Sequence, residues 1–197
     1  MSFALGLTGS IGMGKSTTAG LFADAGCDVW DADAAVHRLY EQGGAAVSPI
    51  RDLFPEAVID GRVSRDALKR IIGQNPDALK QIESVVHPLV ALDRTQFRAL
   101  ATSDILVFDI PLLFETGGNV AMDAVACVSI PDELQKNRVM DRGTMTVEQF
   151  EHIRKKQLPN DEKVARSDYV IITDTLDHAR QQVEQIVASI REGMANA

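Results

Sequence analysis

Apolar runs of strand length recur along this chain, and stretches with helical periodicity separate them. The runs cover residues 3–7, 27–30, 105–110, 123–130 and 168–172. In the stretches between them, apolar residues return every three or four positions, which is the spacing of a helix that buries one face. Strands that alternate with helices are typical of a parallel sheet covered by helices. The pattern therefore predicts an α/β fold with a parallel five-stranded sheet.

Capping and breaking residues set the predicted helix ends. A helix begins near Lys15 and ends before Gly26, and Asn75-Pro76-Asp77 is a start signal for another. We expect His87-Pro88 to interrupt that second helix, because proline lacks an amide proton, and a separate helix to run from Leu89 to Leu100. Further helices are predicted over residues 34–42 and 46–54 and after Ser64, Pro131, Thr146 and either Thr175 or Asp177.

The longest helical stretch lies between two predicted strands. Residues 61–101 are therefore predicted to be an insertion in a core of residues 1–60 and 102–197. Within the core, residues from about 132 to 160 form a helical hairpin rich in Lys and Arg, called the basic hairpin below. Basic residues in an otherwise acidic protein indicate a mobile lid over phosphates.

Composition excludes several classes of protein. A net charge of −8 argues against broad nucleic-acid binding, which needs a basic surface. No apolar run approaches the roughly 18 residues of a membrane span. A strand that starts at Phe3 leaves no room for a leader, so we expect a cytoplasmic protein without membrane contact. Cys27 and Cys127 adjoin predicted strands and are predicted to be buried free thiols.

The strongest motif follows the first strand. Gly9-Ser10-Ile11-Gly12-Met13-Gly14-Lys15-Ser16, with Thr17 after it, matches the G-x-x-x-x-G-K-[ST] pattern of nucleotide-binding loops. Glycines permit positive φ and let backbone amides approach phosphate oxygens. Lys15 would contact the β- and γ-phosphates, and the Ser16 hydroxyl would ligate Mg²⁺. A glycine-rich turn with an incidental Lys-Ser is the alternative, which the flanking strand and helix disfavour.

Asp31-Ala32-Asp33 follows the second strand, at the sheet edge where α/β proteins bind ligands. If that strand adjoins the phosphate loop, Asp33 would lie near the γ-phosphate. Asp33 could instead cap the helix over residues 34–42, a position that aspartate favours. The sequence leaves both interpretations open, and one residue could serve both.

The third strand ends in Asp109, which resembles the magnesium-associated aspartate of phosphate-loop enzymes. An apolar loop over residues 111–118 comes next. Leu112 and its neighbours there suit either a substrate pocket or packing beneath the loop.

Arg138 and Arg142 are four residues apart on a predicted helix, so they share one face. Like charges at that spacing repel, and a bound anion would relieve the repulsion. The alternative is a pair of solvated surface residues.

A phosphate loop permits hydrolysis, switching or phosphoryl transfer. Switch GTPases read guanine through an Asn-Lys-x-Asp segment, which this sequence lacks. An acid after the second strand, a helical insertion and a basic hairpin favour a small-molecule kinase, which must position an acceptor hydroxyl and neutralise charge.

Several motifs follow one another in order along nearly the whole chain. They are residues 7–17, Asp31-Ala32-Asp33, His87-Pro88, Pro111-Leu112-Leu113-Phe114-Glu115, Arg138 with Arg142, Gln157 and residues 167–171. Together they resemble the dephospho-coenzyme A kinase family, which phosphorylates the ribose 3′-hydroxyl of dephospho-CoA. The chain departs from the family at Ser10 and Met13, both variable loop positions where the backbone amide does the binding. Asp109 is not a fixed acid in that family.

The resemblance implies a P-loop NTPase-type three-layer fold and a role for each motif on the nucleotide side. The loop from Gly9 to Thr17 would hold ATP, with Ser16 on Mg²⁺. Asp33 would orient the 3′-hydroxyl and accept its proton. Arg138 and Arg142 would close over the phosphates, catalysing the transfer together with Lys15.

On the acceptor side, the resemblance implies that the insertion binds dephospho-CoA. Arg65, His87 and Leu112 would be the contacts, unless His87 only makes a hydrogen bond at a helix junction. We expect a monomer. The competing hypotheses are another P-loop kinase, for nucleosides or nucleotides, and a nucleotide-dependent switch or binding module.

Overall fold

A five-stranded sheet forms the centre of the computed structural model, which describes residues 2–196. The strands are β1 (Phe3–Thr8), β2 (Asp28–Asp31), the short β3 (Val58–Ile59) and β4 (Arg62–Val63), β5 (Ile105–Asp109), β6 (Ala124–Ser129) and β7 (Tyr169–Ile172). The order in the sheet is β2-β5-β1-β6-β7, and β3 pairs with β4 separately. Strand β1 runs parallel to β5 and β6, as does β6 to β7. The predicted α/β fold with a parallel five-stranded sheet is confirmed.

The helices occur close to where the sequence predicts them, except that one helix is additional and the two predicted on either side of Pro88 are one helix. They are α1 (Lys15–Asp24), α2 (Ala32–Tyr40), α3 (Val47–Leu53), α4 (Arg65–Gln74), α5 (Asp77–Leu100), α6 (Asp132–Asp141), α7 (Val147–Lys156), α8 (Asn160–Ala165) and α9 (Leu176–Ala195). Helix α8 was not predicted, because its six residues are too few to establish a periodic pattern. Within residues 2–196, no helix combines the length and the apolar character that a membrane crossing requires.

Strand β1 lies in the middle of the sheet. Every residue of β1 after Phe3 is buried, as expected for a strand covered on both faces. Helices α1 and α9 contribute Phe22 and Val183, both 0% exposed, to the apolar cluster that contains Leu5 and Leu7. Full burial of each such side chain stabilises the fold by roughly 1.5–3 kcal/mol. This core fixes the carboxyl end of β1, from which the phosphate loop departs.

The chain divides into two compact units. The first contains the residues up to Trp30 and those from Ala101 onward, and the second is Asp31–Leu100. The second unit has its own apolar cluster, in which Ile50, Leu68 and Ile82 are buried. This unit begins at Asp31, whereas the sequence places the start of the insertion at residue 61. The functional division of the chain stays a prediction.

The second strand, β2, lies at the edge of the sheet, beside β5, which separates it from β1. The chain returns to pair with β1 only after the second unit, through the parallel register that joins Leu5 to Val107. The proximity of Asp33 to the γ-phosphate stays a prediction.

The cap of α2 is Asp31 rather than Asp33. The Asp31 side chain accepts a hydrogen bond from the amide of Ala34 at 2.9 Å, and Asp31 has the extended backbone of an N-cap residue. Asp33 lies in the first turn and is exposed. The predicted range 34–42 is thus wrong at both ends: it starts two residues late, because it takes the second of two aspartates as the cap, and it extends two residues beyond Tyr40.

Helix α5 continues through Pro88, so the predicted interruption at His87-Pro88 is wrong. Val85 and Val86 before the proline and Leu89 and Val90 after it pack against the same apolar cluster. Pro88 itself is exposed, where a freed carbonyl group can bond to water. Burial on both sides of Pro88 outweighs the loss of one helical hydrogen bond.

The cap assignment yields a stability test. Replacing Asp31 with Ala should lower the free energy of unfolding by about 0.5–2 kcal/mol, because the amide of Ala34 loses its acceptor. Asp33→Ala removes no cap and should change it by no more than about 0.5 kcal/mol. Urea unfolding followed by circular dichroism measures both.

Asp31→Asn is the matched control, since asparagine caps as well as aspartate. It should restore most of the stability that Asp31→Ala loses. Equal losses from Asp31→Ala and Asp33→Ala would contradict the cap assignment.

Candidate active site

The phosphate loop needs glycines because neighbouring side chains leave no room for a Cβ atom, and not only because glycine is flexible. A Cβ on Gly9 would lie 2.2 Å from Val128 Cγ2, and one on Gly12 would lie 2.4 Å from Val139 Cγ2. Gly12 and Gly14 also have φ angles of 78° and 89°, which disfavour any side chain. The loop backbone therefore lies directly against β6 and α6. Gly14 is the N-cap residue of α1, so the first backbone amides of α1 lie at the loop.

Side chains from outside the loop hold its backbone in place. The Ile11 amide donates to Gln157 Oε1 at 3.1 Å, and Gln135 Nε2 donates to the Ile11 carbonyl oxygen at 2.6 Å. The Thr173 hydroxyl donates to the carbonyl oxygen of Met13 at 2.6 Å. Sequence reasoning missed Gln135 and Thr173, which no local motif distinguishes.

Met13 is more than a tolerant loop position. Its side chain is 1% exposed within the main core, and its sulfur accepts a hydrogen bond from the amide of Ile130 at 3.3 Å. From the sequence, only the backbone amide of this residue was expected to matter. The structure adds an apolar anchor at the same residue.

Lys15 pairs with Asp109 at the end of β5. The Lys15 amine forms an ion pair with Asp109 Oδ1, and the Asp109 side chain is 1% exposed. Neutralising charge in this way is necessary for a buried carboxylate. In the structure Asp109 is thus a partner of the loop lysine, whereas the sequence suggested a magnesium-associated acid.

The residues present fit a magnesium ion held mainly by phosphates. Within residues 2–196, no group of three or more His, Cys, Asp or Glu side chains could hold a metal ion. Mg²⁺ at nucleotide sites commonly uses one or two protein oxygens and completes its shell with phosphates and water. Ser16, exposed in the first turn of α1, offers such an oxygen.

A pocket of about 220 Å³ opens beside the loop and brings the two predicted arginines together. Its lining consists of Gly14, Thr17, Thr18, Arg138, Arg142, Thr173, Thr175, Leu176 and Ala179. Arg138 donates to the carbonyl oxygens of Thr173 and Asp174 at 2.6 and 3.0 Å. The predicted shared face of the arginines is consistent with this lining.

The residues after β7 are the part of this pocket that sequence reasoning missed. Thr173 and Thr175 follow β7, at the same carboxyl edge of the sheet as the phosphate loop. Because ligands of α/β sheets bind at that edge, a polar segment there was a usable signal.

The apolar loop over residues 111–118 both packs inward and exposes one side chain. Leu113 and Phe114 are 0% and 6% exposed and cluster with Val125, whereas Leu112 is 41% exposed. Packing beneath the loop is therefore right for Leu113 and Phe114. Leu112 is left facing outward.

An ion pair between the buried Lys163 and the partly exposed Glu115 holds this loop. Lys163 is fully buried, and its amine lies 2.9 Å from Glu115 Oε1 and donates to the Pro111 carbonyl oxygen at 3.2 Å. The amide of Leu158 donates to the same Glu115 oxygen at 2.9 Å. Burial alone raises the pKa of Glu115, but the hydrogen bonds from Lys163 and Leu158 outweigh burial and hold that pKa below its usual range.

The remaining predicted residues belong to the second unit. Asp33, Arg65 and His87 are all exposed there. Burial raises the pKa of the Tyr40 hydroxyl, and the charge of Arg65 opposes that increase. The interpretation of His87 as a hydrogen bonder at a helix junction is wrong, since α5 has no junction at that point.

Both cysteines are buried free thiols, which confirms the sequence prediction. Burial raises the pKa of each thiol to about 11, for Cys27 and Cys127 alike. Neither has thiolate character at neutral pH, so neither is a candidate nucleophile.

Comparison with protein families gives one match that covers most of the chain. The family model described as dephospho-CoA kinase matches residues 3–178. A dephospho-CoA kinase from Ruegeria pomeroyi is 71% identical over 197 residues, which is the whole length of both chains.

Solved structures agree in fold. A protein from Thermus thermophilus superimposes with a TM-score of 0.85 and 32% identity, over 95% of this chain and 97% of that one. A dephospho-CoA kinase from Campylobacter jejuni gives a TM-score of 0.70 at 24% identity, over 98% and 99% of the two chains. At that identity the second likeness concerns the fold alone.

The contact at Gly9 predicts a sharp intolerance of side chains. Gly9→Ala should lower the melting temperature by several degrees or prevent folding, because the new Cβ overlaps Val128. Thermal unfolding by differential scanning fluorimetry measures the effect.

Gly20→Ala is the matched control. Gly20 lies within α1, and a Cβ there meets nothing within 4 Å. Alanine favours the helix over glycine, so stability should rise by about 0.5–1 kcal/mol. Similar behaviour of the two variants would contradict the close-contact explanation.

The ion pair between Glu115 and Lys163 predicts that the free energy of unfolding depends on pH. Glu115→Gln should cost about 1–3 kcal/mol at pH 7, because Lys163 stays buried without its counter-charge. A lowered carboxyl pKa contributes stability that is complete above the unfolded pKa and disappears as pH falls through the folded one. The difference between wild type and variant should therefore persist down to about pH 5 and shrink below it. A difference constant to pH 3 would contradict this assignment; urea titrations across the range measure it.

Proposed function

This chain belongs to the dephospho-CoA kinase family, and we propose that it transfers the γ-phosphoryl group of ATP to the ribose 3′-hydroxyl of dephospho-CoA. The products are coenzyme A and ADP. The observation that carries the proposal is the phosphate loop, whose glycine contacts, lysine and adjoining arginine pocket suit a nucleoside triphosphate. The match of the dephospho-CoA kinase family model to residues 3–178 supports the choice of acceptor.

The loop and the pocket divide the nucleotide between them. Backbone amides of residues 9–17, other than the Ile11 amide that donates to Gln157, and the amine of Lys15 bind the triphosphate, since helix N-termini and nested amides favour anions. The nucleoside part occupies the pocket beside Gly14 and Thr17. Arg138 and Arg142 both line this pocket, and Arg138 is held there by the hydrogen bonds that it donates to the carbonyl oxygens of Thr173 and Asp174.

Magnesium is part of the proposal. Ser16 supplies the protein oxygen, with phosphates completing the coordination. When bound, Mg²⁺ neutralises charge that spreads over the transferred group. Arg138 and Arg142 add positive charge for the same purpose.

Asp33 is the proposed general base. It has no capping duty, since Asp31 performs it, and its carboxylate is exposed in the first turn of α2. A free carboxylate can orient an acceptor hydroxyl and accept its proton. On the acceptor side we propose Arg65, His87 and Leu112, each of which is exposed. We further propose that the insertion over residues 61–101 holds the acceptor, that the basic hairpin closes over the phosphates, and that the protein works in the cytoplasm.

The acceptor is tested by measuring ADP release from Mg-ATP with dephospho-CoA, adenosine, AMP, uridine or no acceptor. Release should be fast with dephospho-CoA and close to the background with the other four. Fast release with AMP would identify a nucleotide kinase, and release that needs no acceptor would identify a hydrolase or switch.

Asp33→Asn should lower kcat by about 10²–10⁴-fold, which is the usual contribution of a general base. Its affinity for ATP should stay within twofold of wild type, measured by titration calorimetry. Asn keeps the size of the side chain and removes only its basicity.

Two further variants bracket this result. Asp31→Asn keeps its cap and should retain kcat, whereas Lys15→Ala should lose both transfer and triphosphate affinity. Near-normal turnover of Asp33→Asn would exclude Asp33 as the base.

A further inference from the structure

Both backbone polar groups of Ile11, in the middle of the phosphate loop, are engaged by glutamine side chains. Gln157 accepts the Ile11 amide proton at 3.1 Å, and Gln135 donates to the Ile11 carbonyl oxygen at 2.6 Å. We call these three residues the Ile11 clamp. Neither glutamine has a role in the proposed chemistry.

The two glutamines come from different elements of the basic hairpin. Gln135 lies in α6, and Gln157 is the C-cap residue of α7. The Gln135 side chain is 1% exposed, so it cannot turn away while α6 stays in place. Helix α6 also lies flush against the loop, because a Cβ on Gly12 would meet Val139 of that helix at 2.4 Å.

A glycine-rich loop is costly to order. Glycine loses more conformational freedom on ordering than any other residue, and a ligand that must order its own site binds more weakly. A clamp that orders Ile11 beforehand removes part of this cost. It also makes the order of the loop depend on the placement of α6 and α7.

We propose that Gln135 and Gln157 are positioning residues that hold the Ile11 backbone ready for the triphosphate and couple the basic hairpin to the phosphate loop. The identity of the ligand, ATP, rests on the proposed function. The coupling itself rests on the two hydrogen bonds and on the packing of α6 against Gly12.

Gln135→Met and Gln157→Met remove the polar groups at nearly constant length. Each should raise the Kd for Mg-ATP, measured by calorimetry without acceptor, about three- to tenfold, the usual effect of one lost hydrogen bond. The KM for dephospho-CoA and kcat at saturation should change less than twofold. The double variant should weaken binding by less than the product of the single effects, because both substitutions release the same residue.

Gln185→Met is the matched control, since Gln185 is exposed on α9. It should leave the Kd for Mg-ATP unchanged. Should Gln135→Met fail to fold, Gln157→Met carries the test, because Gln157 is only partly buried.

Hydrogen exchange of the Ile11 amide gives a readout that needs no ligand. The amide should exchange at least about tenfold faster in Gln157→Met than in wild type, while the β1 amide of Leu5 keeps its protection. An Ile11 amide that exchanges equally fast in both proteins would overturn the clamp. So would an unchanged Kd for Mg-ATP in folded variants, or KM values for ATP and for dephospho-CoA that increase equally. If wild type binds Mg-ATP but does not phosphorylate dephospho-CoA, the proposed function fails while these measurements still decide on the clamp.

Discussion

The backbone of the phosphate loop approaches its neighbours too closely for side chains, and the first unit is built around that constraint. Val128 on β6 and Val139 on α6 form the two surfaces against which Gly9 and Gly12 pack. The loop can take its shape only when both surfaces are in place. The register of β6 beside β1 and the packing of α6 are therefore conditions for binding phosphate.

A second constraint is that each buried charge needs a partner, and two such pairs lie at or just after the carboxyl end of β5. Lys15 pairs with Asp109 at the last residue of that strand, and Lys163 donates to Pro111 just after it while pairing with Glu115. An unpaired charge in such surroundings costs several kcal/mol. The two lysines therefore connect α1 to the end of β5 and α8 to the apolar loop.

Local signals were sufficient for the strands, the phosphate loop and most helices, because periodicity and capping act within a few residues. Two errors came from contacts that the sequence does not display. Helix α5 passes Pro88 because residues on both sides share one apolar cluster, and Asp31 takes the cap because α2 starts two residues earlier than expected. Gln135 and Thr173 reach the loop across more than a hundred residues of chain, so no spacing rule could identify them. The roles of Asp33, Arg65 and His87 stay predictions.

In the apolar loop after β5, adjacent residues differ in whether the fold depends on their side chains. Leu113, Phe114 and Glu115 are committed to packing and to the Lys163 pair, whereas Leu112 is 41% exposed and supports none of these contacts. Because the Leu112 side chain takes no part in this packing, a substitution there should cost little stability. Under the function proposed above, selection could therefore change the preference for the acceptor at one residue while its neighbours preserve the fold.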